Sequence, residues 1–288
     1  MNPKKNKLIN IIKKITKLKI AKKNIFVQWA ASEKTPNFGD NITPYLLSKV
    51  NKLNAIRVGK HFKKTNYVMA GSIINRVNNK SIVFGTGIIR ENDKIIERPK
   101  KVLAVRGPLT RRYLLSKGID CPDVYGDPGL LLPVFYKPSV TKKFPIGLIP
   151  HYADKKVVSS IGADIKIIDV FNNVEEVVDE ICSCDIVVSS SLHGIIIAHA
   201  YGIPALWVKL SDDLVGDGIK FLDYYNSVGI KNISPIEVKN HDIDFDLLTA
   251  LIKKNSDRLL PEKEKIDVML KKLLDVYPFK HLIPDLNL

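Results

Sequence analysis

Residues 185–208, Asp-Ile-Val-Val-Ser-Ser-Ser-Leu-His-Gly-Ile-Ile-Ile-Ala-His-Ala-Tyr-Gly-Ile-Pro-Ala-Leu-Trp-Val, constrain the fold of this chain more than any other segment. Ile186 to Val188 is a β-branched apolar run, the composition of a strand buried on both faces. Three serines, Leu192, His193 and Gly194 follow, then an apolar segment of helical length that ends at Tyr201-Gly202-Ile203-Pro204. Pro204 to Val208 makes a second strand. The polar residues of this strand–loop–helix–strand unit are gathered in the strand-to-helix loop. In open α/β sheets that loop lies at the carboxyl edge of the strands, where ligands bind. His193 falls near a helix N-terminus, whose unpaired N–H groups attract anions, and Gly194 lets a ligand approach the backbone. A structural histidine in an ordinary turn fits the same residues; the Ser-Ser-Ser-x-His-Gly setting favours a site.

The length, 288 residues with 45% hydrophobic, suits one large domain or two ordinary ones with a real core. No apolar run approaches the roughly 20 residues of a membrane span. Cys121, Cys182 and Cys184 make neither a disulfide framework nor a zinc spacing, and a reducing compartment fits them. The net charge of +15 resembles a nucleic-acid signature until it is located. Nine of those charges are lysines in residues 1–23, which hold no acid, so the other 265 residues carry +6. In that tail Leu8, Ile11, Ile12, Ile15 and Leu18 share one helical face. The pattern predicts a basic amphipathic helix over 1–23 lying on an anionic membrane surface, at the inner face of the cell membrane. A solvated helix or a nucleic-acid arm are the alternatives.

Further short strands are expected at 24–31, 67–70, 82–84, 101–105, 146–149 and 165–169, with a charged amphipathic helix near 261–277. Asp40 or Asn41 is expected to cap a helix with Pro44 in its first turn. A Pro- and Lys-containing connector near 137–144 divides the chain into α/β domains at 24–140 and 141–288. The expected architecture is two doubly wound, Rossmann-like domains facing a cleft.

Nearly every expected strand ends in a small or polar cluster: Asn37, Gly39 and Asp40; Gly71 and Ser72; Gly85, Thr86 and Gly87; Arg106; Asp127; His151; His193. Parallel sheets would bring these clusters to the edges lining the cleft. Each is weak alone, and Gly85-Thr86-Gly87 lacks the third glycine of a dinucleotide fingerprint. Arg106 follows a buried strand at a helix start, where a guanidinium can clamp a carboxylate or phosphate. A salt bridge to an acid of the other domain is its alternative role. His199, inside an apolar helix, is expected in the core.

Taken together, Asn37-x-Gly-Asp40, Val105-Arg-Gly-Pro-Leu109, Gly126-Asp-Pro128, Ile149-Pro-His-Tyr152 and Ser190-Ser-Leu-His-Gly194 … Tyr201-Gly-Ile-Pro204 resemble the polysaccharide pyruvyl transferase family, in the family's order. The resemblance implies a GT-B-like fold. It also implies transfer of pyruvate from phosphoenolpyruvate onto a sugar of a capsular, exopolysaccharide or cell-wall glycan, or its lipid-linked precursor, as a cyclic ketal. By motif, His193 would be the general acid and Arg106 would hold the donor's anionic groups. Asn37, Gly39, Asp40, Gly85, Thr86, Asp127, His151, Ser191, Leu192, Gly194 and Lys220 complete the expected site. Many relatives carry a basic residue where this chain has Ser191; Lys220, Arg90 or His151 would then meet that part of the donor charge. The scheme needs no metal or other cofactor. Two rivals remain, a GT-B-like glycosyltransferase using a nucleotide sugar and a non-catalytic basic module that binds a membrane or nucleic acid.

Overall fold

The apolar runs pair into two five-stranded parallel sheets in this computed structural model, which describes residues 23–30, 37–50, 53–154, 164–238 and 243–283. The first sheet contains β1 (Lys23–Gln28), β2 (Leu53–Arg57), β3 (Asn66–Val68), β4 (Ser81–Phe84) and β5 (Lys101–Ala104), ordered β2-β1-β3-β4-β5. The second contains β6 (Phe144–Ile149), β7 (Ile165–Ile167), β8 (Cys184–Ser189), β9 (Ala205–Lys209) and β10 (Ile236–Glu237), ordered β10-β9-β8-β6-β7. Counted within each half, both sheets have the order 2-1-3-4-5, so the halves share a topology without a repeated sequence. That order reverses direction between β1 and β3 in one half and between β6 and β8 in the other. Ligands of doubly wound sheets bind at such reversals, outside the carboxyl ends of the strands.

Three apolar layers bury both faces of each sheet. One, around Val68, Val83 and Val102, covers the outer face of the first sheet. Another, around Leu148, Val188 and Leu206, covers the outer face of the second. The layer between them runs from Ile25 and Phe38 through Leu130 and Leu131 to Val187 and Ile196. The two halves therefore share a core behind the cleft.

The helices are α1 (Phe38–Lys49), α2 (Pro108–Ser116), α3 (Leu132–Phe135), α4 (Val174–Cys182), α5 (Leu192–Ala200), α6 (Ile219–Ser227), α7 (Phe245–Lys254) and α8 (Lys263–Val276). The helix α5 is apolar all round, as befits one enclosed on every side, and Ile195, Ile196, Ile197 and Ala198 have no exposed surface. Asn37 caps α1, its side chain accepting from the Gly39 N–H at 2.9 Å. This corrects the expected cap at Asp40 or Asn41: the helix starts earlier, and Pro44 lies in its interior. Pro44 consequently offers no N–H to the carbonyl one turn back.

Two further points concern the chain's ends. The helix α8 packs against β5 and the turn Pro128–Leu131, so the C-terminal segment returns to the first sheet, across the expected boundary. Leu273 of α8 seats on Gly126, where a Cβ would come within 2.5 Å of it. The expected helix over residues 1–23 lies, apart from Lys23, outside the described residues.

Candidate active site

Both topological reversals open onto one cavity of about 480 Å³. Ala30 beyond β1 and Gly71 and Ser72 beyond β3 form its first wall; His151 and Tyr152 beyond β6 and Ser191, Leu192 and His193 beyond β8 form the other. Asn37, Asp40, Arg76, Arg90, Val215 and Lys220 add to the lining.

His193 is the second residue of α5, and its Nε2 lies 3.6 Å from Asp127 Oδ2. That separation suits an ion pair and exceeds a hydrogen bond. Asp127 is fully buried. Its Oδ1 caps the turn Pro128–Leu131 by accepting from the Gly129 N–H at 2.9 Å. Its Oδ2 and His193 Nε2 are both buried without any other partner. A buried carboxylate left facing an imidazole orients the ring. Nδ1 of the same ring lies over Gly39, where a Cβ would come within 2.1 Å of it, and Phe38 meets the ring edge-on. The Asn-x-Gly-Asp segment thus has three separate tasks. Asn37 caps α1, Gly39 makes room for His193, and Asp40 faces the cavity.

The serines before His193 divide their work similarly. Ser189 Oγ donates to the Ile149 carbonyl and accepts from the Ser191 N–H, both at 3.0 Å. Ser190 Oγ donates to Asp154 at 2.5 Å and accepts from the His151 N–H at 2.9 Å, binding the ends of β6 and β8 together. Ser191 precedes α5 without a side-chain capping bond and lines the cavity.

The charge around the cavity is lopsided. Arg76, Arg90 and Lys220 face one acid, Asp40. Burial raises the Asp40 carboxyl above its ordinary range, opposed by His193, Arg76, Arg57 and Lys220. Burial lowers the Lys220 ammonium to about 8, with Arg106 adding to the shift and Asp154 and Asp40 opposing it. Burial also lowers His151 to about 4, reinforced by Lys220 and His193. His151 is therefore neutral near pH 7, and its ring cannot supply a positive charge to the cavity.

Six expected site residues do not line the cavity: Gly39 and Asp127 seat His193, and four others have positions elsewhere. Arg106 is fully buried: Nε donates to Asp223 at 3.1 Å, Nη1 to Ser72 Oγ at 2.6 Å and Nη2 to the Ile88 carbonyl at 2.7 Å. Its guanidinium is committed to the salt bridge between halves, so it does not line the cavity as a donor clamp. Gly85 does not reach the cavity either; at φ 85° it packs against Pro128 and Gly126. Thr86 is buried, donating to the Gly71 carbonyl at 2.7 Å and accepting from the Ile73 N–H, which shapes the loop beyond β3. Gly194 gives close helix–strand packing rather than ligand access, since a Cβ there would meet Ser189 Oγ at 2.6 Å.

Arg76 is the charged residue of the lining that sequence reasoning missed. It ends the short turn Ile74–Arg76 beyond β3 and donates to the Trp29 carbonyl at 3.3 Å. Asn75 and Val77 beside it carry no motif, so only folding brings this guanidinium to the cleft. Asp223 also had no sequence signal.

Among the described residues no group of three or more His, Cys, Asp or Glu is placed to hold a metal ion, and no helix is long and apolar enough to cross a membrane. What the fold and site define is a paired parallel α/β protein with a carboxylate-backed histidine facing a cationic cleft. Its sequence narrows that class: the polysaccharide pyruvyl transferase family model matches residues 4–212, and the chain belongs to that family. An uncharacterised protein of Acanthamoeba polyphaga mimivirus is 31% identical over 226 residues, covering 74% of this chain and 78% of that protein. A crystal structure of a functionally uncharacterised protein from Klebsiella pneumoniae aligns with a TM-score of 0.42 at 14% identity, covering 83% of this chain and 99% of that one.

Proposed function

We propose that this pyruvyltransferase moves pyruvate from phosphoenolpyruvate onto two hydroxyls of a glycan sugar, forming a cyclic ketal and releasing phosphate. The observation that carries the proposal is the Asp127–His193 pair, set at the N-terminus of α5 in a cavity lined by Arg76, Arg90 and Lys220. A three-carbon donor bearing a carboxylate and a phosphate needs cations and N–H donors around it. Two arginines, a lysine and the first turn of α5 supply them. With Ser191 carrying no charge, Arg76 and Lys220 meet the donor's anionic groups and neutral His151 supplies hydrogen bonding. The pair of sheets serves as a GT-B-like frame, holding donor and acceptor between its halves.

In the proposed reaction the imidazolium of His193 gives its proton to the methylene carbon of the enol phosphate. The adjacent carbon becomes an oxygen-stabilised cation, similar in electronic demand to the state reached in glycoside cleavage. One sugar hydroxyl adds there, phosphate leaves with the C–O electron pair, and the second hydroxyl closes the ketal. The hydroxyl protons restore His193 and protonate the departing phosphate. Asp127 fixes the tilt of the ring. A positioned acid of this kind contributes about 10²–10⁴-fold.

The test is phosphate release from phosphoenolpyruvate with a glycan acceptor, followed by mass spectrometry of the acceptor. One pyruvate added with loss of water is expected. A nucleotide sugar consumed and a hexose added would refute the reading in favour of a glycosyltransferase. The basic segment 1–23 is proposed to hold the enzyme on the anionic inner membrane surface, beside a lipid-linked acceptor. Flotation with anionic liposomes should weaken as salt rises and disappear in a chain starting at Asn24.

A further inference from the structure

We propose that a second cavity, beside the cleft, is the seat of the acceptor sugar, a neutral polyhydroxylated ring held next to the donor. This inference rests on the pyruvyltransferase reading and gives it a location for the second substrate. The cavity has a volume of about 440 Å³ and lies at the carboxyl edge of β9 and β10, over the start of α6. It meets the cleft cavity at a common wall, because Val215 and Lys220 line both.

The two cavities differ in character. At the base of the second lie Trp207 of β9 and Phe221 of α6, stacked on each other 4.3 Å apart and 10° from parallel and both nearly buried, so that a small part of each reaches the cavity. Its rim carries Asp212, Asp217 and Glu237 against Lys209. Lys209 is already engaged by Asp212 at 2.6 Å and Glu237 at 3.3 Å. The rim therefore offers carboxylate acceptors, and the cavity's one unpaired cation among the described residues is Lys220 in the common wall; acids outnumber it, which disfavours a polyanion. An apolar floor with an acidic rim suits a sugar, whose C–H face packs below while its hydroxyls donate outward. The cleft cavity, with three cations to one acid, suits the anionic donor instead.

Lys220 joins the two. It is nine-tenths buried and makes no hydrogen bond or ion pair with any described residue; its Nζ lies 5.4 Å from the Phe221 ring centroid. With its stem buried and its ammonium in the lining of both cavities, Lys220 is placed to be completed by a ligand. In the common wall, it can touch the donor's anion on one side and an acceptor hydroxyl on the other. This places the sugar's reacting hydroxyls on the cleft side of Lys220 and the remainder of the glycan toward Ser234 and Glu237 at the rim.

The experiment reads Trp207 directly. The chain has two tryptophans, so Trp29→Phe leaves Trp207 as the sole indole emitter. The protein is titrated, with and without phosphoenolpyruvate, with the methyl glycosides of glucose, galactose, mannose and N-acetylglucosamine. A saturable change in Trp207 emission with at least one glycoside is expected; no change with any of them overturns the proposal. In turnover, Trp207→Leu should raise the acceptor KM about ten-fold, the equivalent of about 1.4 kcal/mol, with the phosphoenolpyruvate Kd unchanged. An unchanged acceptor KM in a folded, active Trp207→Leu protein would also overturn it. The pyruvyltransferase reading fails separately, if phosphoenolpyruvate is not consumed while a glycoside still perturbs Trp207.

Discussion

Replacing Arg106 by Met should damage the fold rather than donor affinity. Arg106 and Asp223 both have no exposed surface. Removing the guanidinium leaves a buried carboxylate that retains three donors: the N–H groups of Leu109 and Thr110 at 2.9 Å and Thr110 Oγ1 at 2.6 Å. Breaking one side of a buried pair costs about 3–5 kcal/mol. The three remaining donors pull toward the lower bound, while the Ile88 carbonyl loses its Arg106 bond and adds to the cost. A loss of about 3–4 kcal/mol is therefore expected, measured by urea unfolding with linear extrapolation. Asp223→Asn in the same background should recover part of it, since the two sites are coupled by about 1–3 kcal/mol. The Lys220 ammonium, relieved of Arg106, should titrate above its present value of about 8. An Arg106→Met protein within about 1 kcal/mol of the parent, but binding phosphoenolpyruvate at least about ten-fold more weakly (~1.4 kcal/mol), would refute this reasoning and restore Arg106 as a donor ligand.

Asp127→Asn keeps the shape of the turn but removes the charge behind His193, so kcat should fall toward the about 10²–10⁴-fold loss of a missing general acid with donor Kd little changed; an unaltered kcat would show that the carboxylate only caps its turn. Gly39→Ala, ordinarily favourable in a helix by about 0.5–1 kcal/mol, should instead cripple turnover, because its methyl would occupy the space of His193 Nδ1; kinetics and a thermal melt separate the two effects. Lys220 loses its charge as pH rises through about 8, so phosphoenolpyruvate affinity should drop across that step in the parent, and Lys220→Met should bind weakly with the step removed, as isothermal titration at several pH values would show. His151 and His199 are both held near 4 by burial, below their ordinary 6.5. The unfolded chain therefore takes up more protons between these values, and stability should fall as pH drops from about 6.5 to 4, by up to about 1.4 kcal/mol per pH unit for buried His199 and less for partly exposed His151; His151→Gln should flatten the denaturation profile over that range.

What the chain revealed before folding followed from local patterns. The strands β1 and β3 to β9, among them the edge strands β5 and β7, were legible as short apolar runs, the composition that burial on both faces demands of the interior ones. The edge strands β2 (Leu53–Arg57) and β10 (Ile236–Glu237) were missed for the complementary reason: they are half-exposed and mixed in composition. The helix α6 had no periodic signature strong enough to announce it. The motifs located the strand ends, including His193, because small and polar residues there interrupt otherwise apolar stretches. They did not disclose each residue's task. Gly39, Gly85 and Gly194 looked alike as bare backbone near a ligand, yet each is fixed by a different neighbour: His193, Pro128 and Ser189. Arg106 at a helix start read first as an anion clamp, with an inter-domain salt bridge as the alternative. Asp223, 117 residues away, decided it. Arg76 and Asp127 gained their positions beside the cleft and His193 only when β3 and the Pro128–Leu131 turn came against the second sheet. Sequence determines which segments are strands and where polar residues interrupt them, since those follow from near-neighbour periodicity. Which charges meet is decided by contacts across many residues, and these exist only once the two sheets share a core.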